Sequence, residues 1–316
     1  MTTYAAAGRN LYLASDGPVR LVSSTKLPVI VVHGGAGDWK DDRIPIGLEH
    51  VTRAAKIGFR ILESGGRALD AAEACTVYME GCGKLNAGTG ATRNLDNELE
   101  LDAMIVDGSK LLSGAIMGAK GIMHPVSLAR YAMERTNHTQ FAGDGVQKLY
   151  RAMIAEGYRK EQSQGVTSTP FGIGSNDTVG CVAIDNRGSI ACTSSTGGIH
   201  KKMSGRVGDS CIFGAGAYAN KTAGATATGF GEHIIRVLLS RMVVMYIEQG
   251  LTPQEATSKG IDLLKRETGS EAGIVAADRN GEFGAYTNSK AMPMAVIQHG
   301  AGPLKTFSLR DEIVSI

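Results

Sequence analysis

Hydrophobic residues recur with two different periods along the chain, and the two periods divide it into helices and strands. The run "LPVIVVHGGAG" is β-branched and ends in glycines, which predicts a buried strand followed by a tight loop. Helical spacing extends from Leu48 to Glu80 and is interrupted once by "SGG", which predicts two consecutive helices. Further helices are predicted at "HPVSLARYAMERT", at "GDGVQKLYRAMIAEG" and, as one long helix, at "GEHIIRVLLSRMVVMYIEQG". Thr252 and Glu255 form a capping box that predicts the start of one more helix.

Three other segments alternate apolar and polar residues around short turns and are predicted to be β-hairpins. They are "ELELDAMIVDGSKLLSGAIMG", "TVGCVAIDNRGSIACTSS" and "EAGIVAADRNGEFGAYTNS". Hairpins build antiparallel sheets, because parallel neighbours need long crossover connections. We therefore predict an α/β (α+β) chain in which 1–316 form a single domain, a four-layer α-β-β-α sandwich of two antiparallel sheets. Residues 158–177 lack hydrophobic periodicity and are predicted to be a linker within that domain, and 1–26 an N-terminal extension.

Composition and charge narrow the range of functions. The chain has 316 residues, 43% of them hydrophobic, which is enough for a sizeable core. Glycine, at 42 residues, is about twice as frequent as its usual ~7%, which predicts many tight turns. The formal net charge is +2, and the pair Lys201-Lys202 is interpreted as a solvated surface pair. We therefore expect no nucleic-acid partner.

The cysteines and the apolar segments indicate where the protein works. There are five cysteines, an odd number with no CxxC spacing, so we expect free thiols in a reducing compartment. The opening residues lack the apolar stretch of a signal peptide, and no apolar run reaches the ~18 residues of a membrane span. We expect a cytoplasmic protein that does not bind membranes.

Several common chemistries have little support. "HGGAG" follows a predicted strand, but it is not G-x-G-x-x-G, no GK[ST] follows, and the next residues, "DWKDDR", are largely acidic. A nucleotide-binding protein built on this loop remains an alternative, and it would require a parallel sheet. The chain has no HExxH or CxxC spacing for a transition metal and no G-x-S-x-G elbow for a serine hydrolase.

Thr178 stands at the junction of the predicted linker and a predicted buried strand. A threonine at the start of a strand is usually structural. If the bond between Asp177 and Thr178 were cut, however, Thr178 would carry a free α-amino group beside its own hydroxyl. An α-amine has an ordinary pKa of about 7.7–8.0 and suits a general base. One residue would then supply both nucleophile and base.

The same region resembles a known family. "NDTVGCVAIDNRGSIACTSSTGG", "SGRVGDSCIFGAGAYAN" and "TATGFGEHIIR" are similar to the plant-type asparaginases, also called isoaspartyl peptidases, which are N-terminal-nucleophile hydrolases. "VVHGGAG", "KLNAGTGATRNLDNELELDAMIVDG" and "GIVAADRNGEF" fit the same family in the same order, so the resemblance covers roughly 28–288. It implies self-cleavage before Thr178 into an α subunit, 1–177, and a β subunit, 178–316. It also implies hydrolysis of L-asparagine or of β-aspartyl dipeptides.

The resemblance also implies a role for each matching residue. Thr178 would be the nucleophile, Thr196 would bind its hydroxyl, and Asn86 would lie nearby. Thr228 and Gly229 would form the oxyanion hole, a role that fits a hydroxyl and a backbone N–H. Arg206 and Asp209 would hold the substrate's α-carboxylate and α-ammonium, and Gly229 and Gly231 would contact the substrate through their backbone.

The resemblance implies no organic cofactor, a structural sodium ion and a homodimer of cleaved αβ units. The sodium would be bound by backbone oxygens, which suit a hard cation, from Met79, Glu80, Cys82, Leu85, Ala87 and Thr89. Asp177 departs from the glycine frequent in close relatives and resembles the glycosylasparaginases. A glycosylasparaginase-like amidase is therefore one alternative, and an uncleaved, inactive binding protein of the same fold is another.

Overall fold

The computed structural model describes residues 26–158, 178–302 and 304–314. The predicted extension at 1–25 and the predicted linker from 159 to Asp177 lie outside the described residues. The helices of the described part are α1 (Ile44–Glu63), α2 (Ala68–Gly81), α3 (Pro125–Arg135), α4 (Asp144–Ala155), α5 (Gly231–Val237), α6 (Leu239–Glu248), α7 (Pro253–Thr268) and α8 (Arg310–Val314). Its strands are β1 (Val29–His33), β2 (Leu101–Asp107), β3 (Leu112–Ala119), β4 (Gln140–Ala142), β5 (Val179–Ile184), β6 (Ile190–Thr196), β7 (Ala217–Ala219), β8 (Ala223–Gly229), β9 (Ala272–Asp278), β10 (Phe283–Thr287), β11 (Ala291–Gln298) and β12 (Lys305–Leu309).

Within the described residues the strands form two sheets. The larger has the order β12-β11-β1-β5-β6-β2-β3-β4, and the smaller has the order β10-β9-β8-β7. All neighbouring strands run antiparallel except β3 and β4, which pair in parallel at one edge. Because both neighbours of β1 are antiparallel to it, the parallel sheet required by a nucleotide-binding protein built on "HGGAG" is absent around this strand.

Three hydrophobic cores separate four layers, which confirms the predicted α-β-β-α sandwich. One core lies between the larger sheet and α1 to α4, and it includes Ile30 and Leu62. The middle core joins the two sheets through residues such as Val31 and Val275. The third lies between the smaller sheet and the helices α5 to α7. Side chains alternate between the two faces of each strand, so Ile30 of β1 packs in the core against the helices and Val31 packs in the middle core.

Several segments differ from the sequence prediction. The single long helix expected after Gly231 is broken into α5 and α6 at Leu238, which adopts a left-handed conformation with φ 49°. Five strands, β4, β7, β8, β11 and β12, and the short helix α8 were not predicted. β11 pairs with β1 next to the edge strand β12, far from β1 in sequence. The three predicted hairpins and the capping box of α7 are confirmed.

Among the described residues, no helix combines the length and the apolar character that crossing a bilayer would require. All five cysteines are free, and four of them are buried, as expected of small core residues.

Candidate active site

Thr178, the predicted nucleophile, lies directly before β5 at the tip of the strand and is 3% exposed. β5 pairs with β6 in the register Val179 to Ser195. Continuing that register by one residue places Thr178 opposite Thr196, which is also buried. The Oγ1 of Thr196 accepts a hydrogen bond from the backbone N–H of Gly198 at 3.0 Å, so its position is fixed by the turn that follows β6.

Thr228 approaches the same end of the strands from the opposite sheet. Its neighbour Thr226 lies against Gly180 of β5, where an added Cβ would be only 2.4 Å from the Thr226 hydroxyl. One strand step further on, the Oγ1 of Thr228 accepts a hydrogen bond from the N–H of Ala36 at 3.1 Å. Since Ala36 belongs to "HGGAG", that loop is an edge of the site made of backbone. The Thr228 hydroxyl keeps its own proton for donation.

Gly229 follows Thr228 in a conformation that favours glycine, with φ 149°. A Cβ there would lie 2.9 Å from the Glu271 carbonyl oxygen and from the Ala272 Cβ. The close approach of β9 therefore requires glycine at the position predicted to donate its N–H to the oxyanion.

Asn86 supports the turn after Thr196 from below. Its Nδ2 donates to the carbonyl of Gly198 at 2.8 Å, its Oδ1 accepts from the N–H of Thr92 at 2.8 Å, and its carbonyl accepts from the N–H of Gly197 at 3.1 Å. The structure therefore brings Asn86 to the predicted place, where its side chain fixes the Gly197-Gly198 turn.

Arg206 and Asp209 flank Gly231, as the predicted substrate clamp requires. A Cβ on Gly231 would lie 2.8 Å from Arg206 Nη2 and 2.9 Å from Asp209 Oδ1. A Cβ on Gly198 would lie 3.2 Å from Arg206 Nη1. The clamp therefore lies between two glycines, Gly198 and Gly231. Gly198 follows Thr196 by two residues, and Gly231 follows Gly229 by two residues.

The Arg206 guanidinium is held by a residue that the sequence analysis did not single out. Its Nε and Nη2 donate to the two carboxylate oxygens of Glu232 at 2.8 and 2.7 Å, a bidentate pair. A guanidinium has five N–H donors, so three have no partner among the described residues. The signal in the sequence was available, because Glu232 follows Gly231 directly in "TGFGE".

Asp209 makes no ion pair with Arg206 and is 3% exposed. Its Oδ2 is buried without a hydrogen-bond partner among the described residues. Burial raises the pKa of Asp209 to about 7, although its own backbone N–H and the Arg206 charge both favour the ionised form. A buried hydrogen-bond acceptor without a partner lowers the stability of the fold, so Asp209 Oδ2 is a position at which a hydrogen-bond donor of a ligand could bind.

His33, the first residue of "HGGAG", lies beneath the site and was also missed. Its Nε2 is 3.4 Å from Thr226 Oγ1, and the nearby backbone of Thr178 favours the protonated ring. Complete burial lowers the pKa of His33 to about 3, so the imidazole is neutral at physiological pH.

The interpretation of Lys201-Lys202 as a solvated pair is wrong for one of the two residues. Lys201 is exposed, but Lys202 is 2% exposed, and its Nζ donates to the carbonyl of Glu100 at 2.9 Å. Burial lowers the pKa of Lys202, and the nearby Asp102 and Glu100 carboxylates oppose that shift. The buried Lys202 is stabilised as a cation by the two buried carboxylates that lie beside it.

The predicted sodium loop is compact and lined by backbone oxygens. Cβ atoms on Gly88 and Gly90 would lie 2.3 Å from the carbonyl oxygens of Glu80 and Leu85, so both glycines leave room that a side chain would fill. The Thr89 hydroxyl donates to the Glu80 carbonyl at 3.1 Å. A carbonyl oxygen has two lone pairs, so this bond leaves one for a cation. In the described part of the chain, no three His, Cys, Asp or Glu side chains cluster as a metal site.

The fold and the site together define a class. A two-sheet sandwich that presents a buried threonine at the tip of a central strand, beside two further threonines from both sheets, is the architecture of the N-terminal-nucleophile hydrolases.

Comparison with known proteins identifies the family. The family model described as asparaginase matches residues 26–169 and 156–303. The chain is 39% identical to an isoaspartyl peptidase/L-asparaginase of Danio rerio over 289 residues, which is 87% of this chain and 93% of the relative. It is 37% identical to the Homo sapiens protein of that name over 292 residues, covering 86% and 94% of the two chains. It is also 37% identical to a plant-type L-asparaginase of Pyrococcus furiosus over 297 residues, covering 86% and 96%. The chain belongs to the asparaginase family.

Proposed function

We propose that this protein hydrolyses the side-chain amide of L-asparagine and the isopeptide bond of β-aspartyl dipeptides, after cutting its own chain before Thr178. The observation that carries the proposal is the convergence of Thr178, Thr196 and Thr228 beside the clamp of Arg206 and Asp209. The names of the relatives support both substrates.

Self-cleavage gives Thr178 the α-amine that it needs as a base. The amine takes the hydroxyl proton as Oγ1 attacks the substrate's amide carbon, and the proton then passes to the leaving ammonia or amino acid. Water subsequently releases L-aspartate from the acyl-enzyme and returns the Thr178 hydroxyl. Thr196, opposite Thr178 in the sheet, orients the attacking oxygen.

The oxyanion that forms during the attack is stabilised by Thr228 and Gly229. The Thr228 oxygen accepts from the N–H of Ala36, and this bond directs the Thr228 proton elsewhere. Loss of one such donor typically lowers the rate by about 10²–10³. Because His33 below the site is neutral, it contributes no charge to the stabilisation of the oxyanion, which is left to the two hydrogen-bond donors.

The clamp recognises a free α-amino acid end. Glu232 occupies the Nε and Nη2 edge of Arg206, so the substrate's α-carboxylate binds the remaining edge, formed by Nη1 and the second N–H of Nη2. The α-ammonium donates to Asp209, whose buried Oδ2 lacks a partner among the described residues. Together the two contacts exclude internal aspartyl residues of proteins, which lack these free groups.

Two further features of the family are part of the proposal. The C-terminal end of α2 and the loop that follows it to Gly90 would hold a sodium ion through the backbone oxygens of the six residues named above, and the ion would stiffen the loop that carries Asn86. Replacing sodium by choline should then lower the melting temperature. We also propose a homodimer of cleaved αβ units, to be tested by the native mass in solution. Its apolar surface would include Leu95 and Met203, which are neighbours on the surface and 61% and 73% exposed.

The first experiment is the intact mass of the purified chain after incubation at neutral pH, with Thr178→Ala and Thr178→Ser as a matched pair. We expect the wild type to give two fragments split between Asp177 and Thr178. Thr178→Ser keeps the hydroxyl and should cleave more slowly, and Thr178→Ala should remain intact and inactive. A wild-type chain that stays whole but binds L-aspartate would instead identify an inactive binding protein of the same fold.

A further inference from the structure

An acidic run, Glu98–Asp102, lies at the start of β2 and takes no part in the reaction described above. Glu98, Glu100 and Asp102 alternate with leucines, so in extended chain they point to the same side. Their surroundings differ. The Glu98 carboxylate is 50% exposed and pairs with Lys120, whereas Glu100 and Asp102 are buried.

The two buried carboxylates bind the backbone of the clamp loop, defined as residues 199–209. The N–H of Gly205 donates to Glu100 Oε2 at 2.9 Å, and the N–H of Gly208 donates to Asp102 Oδ2 at 3.3 Å. These contacts bracket Arg206 and end one residue before Asp209. Both clamp residues are therefore carried by backbone that two side chains hold in place, Glu100 just before β2 and Asp102 within it.

Asp102 is itself fixed to the sheet. Its Oδ1 accepts from the N–H of Gly118 on β3 at 2.8 Å. The buried Lys202, which belongs to the clamp loop, donates to the Glu100 carbonyl at 2.9 Å and brings a positive charge towards Asp102. Two buried carboxylates without a cation would be strongly destabilising, so Lys202 completes the arrangement.

The sheet register connects this anchor to the nucleophile. Asp102 pairs with Thr196 of β6, and Thr196 lies opposite Thr178 on the other side. A substrate must place its α-groups in the clamp and its amide carbon at Thr178 at the same time. The spacing between those two points is set by the paired strands and by the two side chains, Asp102 and Glu100, that tie the clamp loop to them.

We propose that Asp102, assisted by Glu100, is a positioning residue that sets the distance between the clamp and Thr178 and so enforces the selection of substrates with both α-groups. This inference rests on the proposed function of Arg206 and Asp209. It predicts that loss of the Asp102 carboxylate weakens recognition of the α-groups without removing any group that touches the substrate.

The test compares L-asparagine with succinamic acid, which has the same amide and carboxylate but lacks the α-amino group. Asp102→Asn keeps the shape of the side chain but replaces one carboxylate oxygen by an NH₂ group. That NH₂ group then faces the N–H of Gly118 or of Gly208, and one of the two hydrogen bonds is lost. We expect the ratio of kcat/KM for L-asparagine over succinamic acid to fall by about tenfold, mostly through KM for L-asparagine. Glu98→Gln is the matched control, since it makes the same kind of change on the same run, and its ratio should equal that of the wild type.

The outcomes separate this inference from the function on which it rests. An unchanged ratio in a folded, self-cleaved Asp102→Asn protein, together with a collapsed ratio in Asp209→Asn, would overturn the positioning role and leave the clamp intact. If Asp209→Asn keeps the wild-type ratio, or if Arg206→Ala leaves KM unchanged for both substrates, the proposed clamp itself is wrong. If Asp102→Asn fails to fold or to cleave, Glu100→Gln decides by the same ratio, because it weakens the contact of Glu100 to Gly205, and with it the ion pair to Lys120, while the contacts of Asp102 stay in place.

Discussion

Asp209, the proposed partner of the substrate's α-ammonium group, is expected to lose a proton when a ligand binds. Burial raises the pKa of Asp209 to about 7, and the neighbouring charges of Asp102 and Glu232 act in the same direction. A protonated carboxyl is a poor partner for an ammonium group. The substrate's α-amine therefore selects the ionised form, and its binding is weaker wherever Asp209 is protonated.

The size of the effect follows from the ionised fraction. With a pKa near 7, roughly 9% of Asp209 is ionised at pH 6 and roughly 91% at pH 8, and the apparent Kd scales inversely with that fraction. L-aspartate, the reaction product, should therefore bind about tenfold more weakly at pH 6 than at pH 8. Binding at pH 6 should release close to one proton per site.

Isothermal calorimetry of the cleaved protein in buffers of different ionisation enthalpy measures both quantities. Succinate is the control ligand because it lacks only the α-amino group. Its affinity should stay constant or increase at pH 6, where a neutral Asp209 repels it less. The Thr178 amine also titrates in this range, but it affects both ligands alike. Parallel changes for L-aspartate and succinate, without proton release specific to L-aspartate, would refute the assignment of the ammonium to Asp209.

Three other substitutions test the geometry. Burial raises the folded-state pKa of Asp209 above its ordinary 3.8, so the free energy of unfolding falls as the pH rises towards 7. The shift in pKa corresponds to a loss of at most about 4 kcal/mol of that free energy. Asp209→Asn removes this loss and should therefore raise the ligand-free melting temperature at pH 8. Gly231→Ala would place a methyl 2.8 Å from Arg206 Nη2 and should raise KM for L-asparagine at least about tenfold in steady-state assays, with self-cleavage unchanged in intact mass. Leu238→Gly should increase the free energy of unfolding in urea by about 1 kcal/mol, because it relieves a left-handed leucine whose side chain is 45% exposed.

Local patterns predicted most of the elements, because each depends on neighbours in the sequence. The hairpin turn at Asp107-Gly108 and the capping box at Thr252 are determined by a few adjacent residues. The break at Leu238 was not predictable in this way. Its flanking residues are good helix formers, and the break is imposed by contacts of Ser240 and Arg241 backbone N–H groups with the carbonyls of Ala215 and Gly214.

The candidate site was predicted less completely than the fold, and the omissions share a cause. Thr178, Thr196 and Arg206 could be placed from motifs that the chain shares with a family. Glu232, Asp102 and Lys202 act on Arg206 or on its loop across gaps of up to about a hundred residues, so their roles follow only from the sheet register and loop packing. Lys202 was misassigned to the surface because a lysine pair is usually solvated, whereas two buried carboxylates draw one of these lysines inside.

The charges around the clamp explain how a neutral pair of α-groups is recognised. Glu232 neutralises Arg206, and Lys202 lies beside the negative charges of Asp102 and Glu100, so the clamp carries no strong net attraction for an anion. The remaining group, Asp209, adds a negative charge only when it is ionised, and because burial raises its pKa to about 7, it is mostly neutral below that pH until a cation binds. A ligand with a carboxylate alone meets Arg206 without supplying the missing cation. A ligand with both groups satisfies Arg206 and Asp209 together, so the site selects a separated pair of opposite charges rather than a net charge.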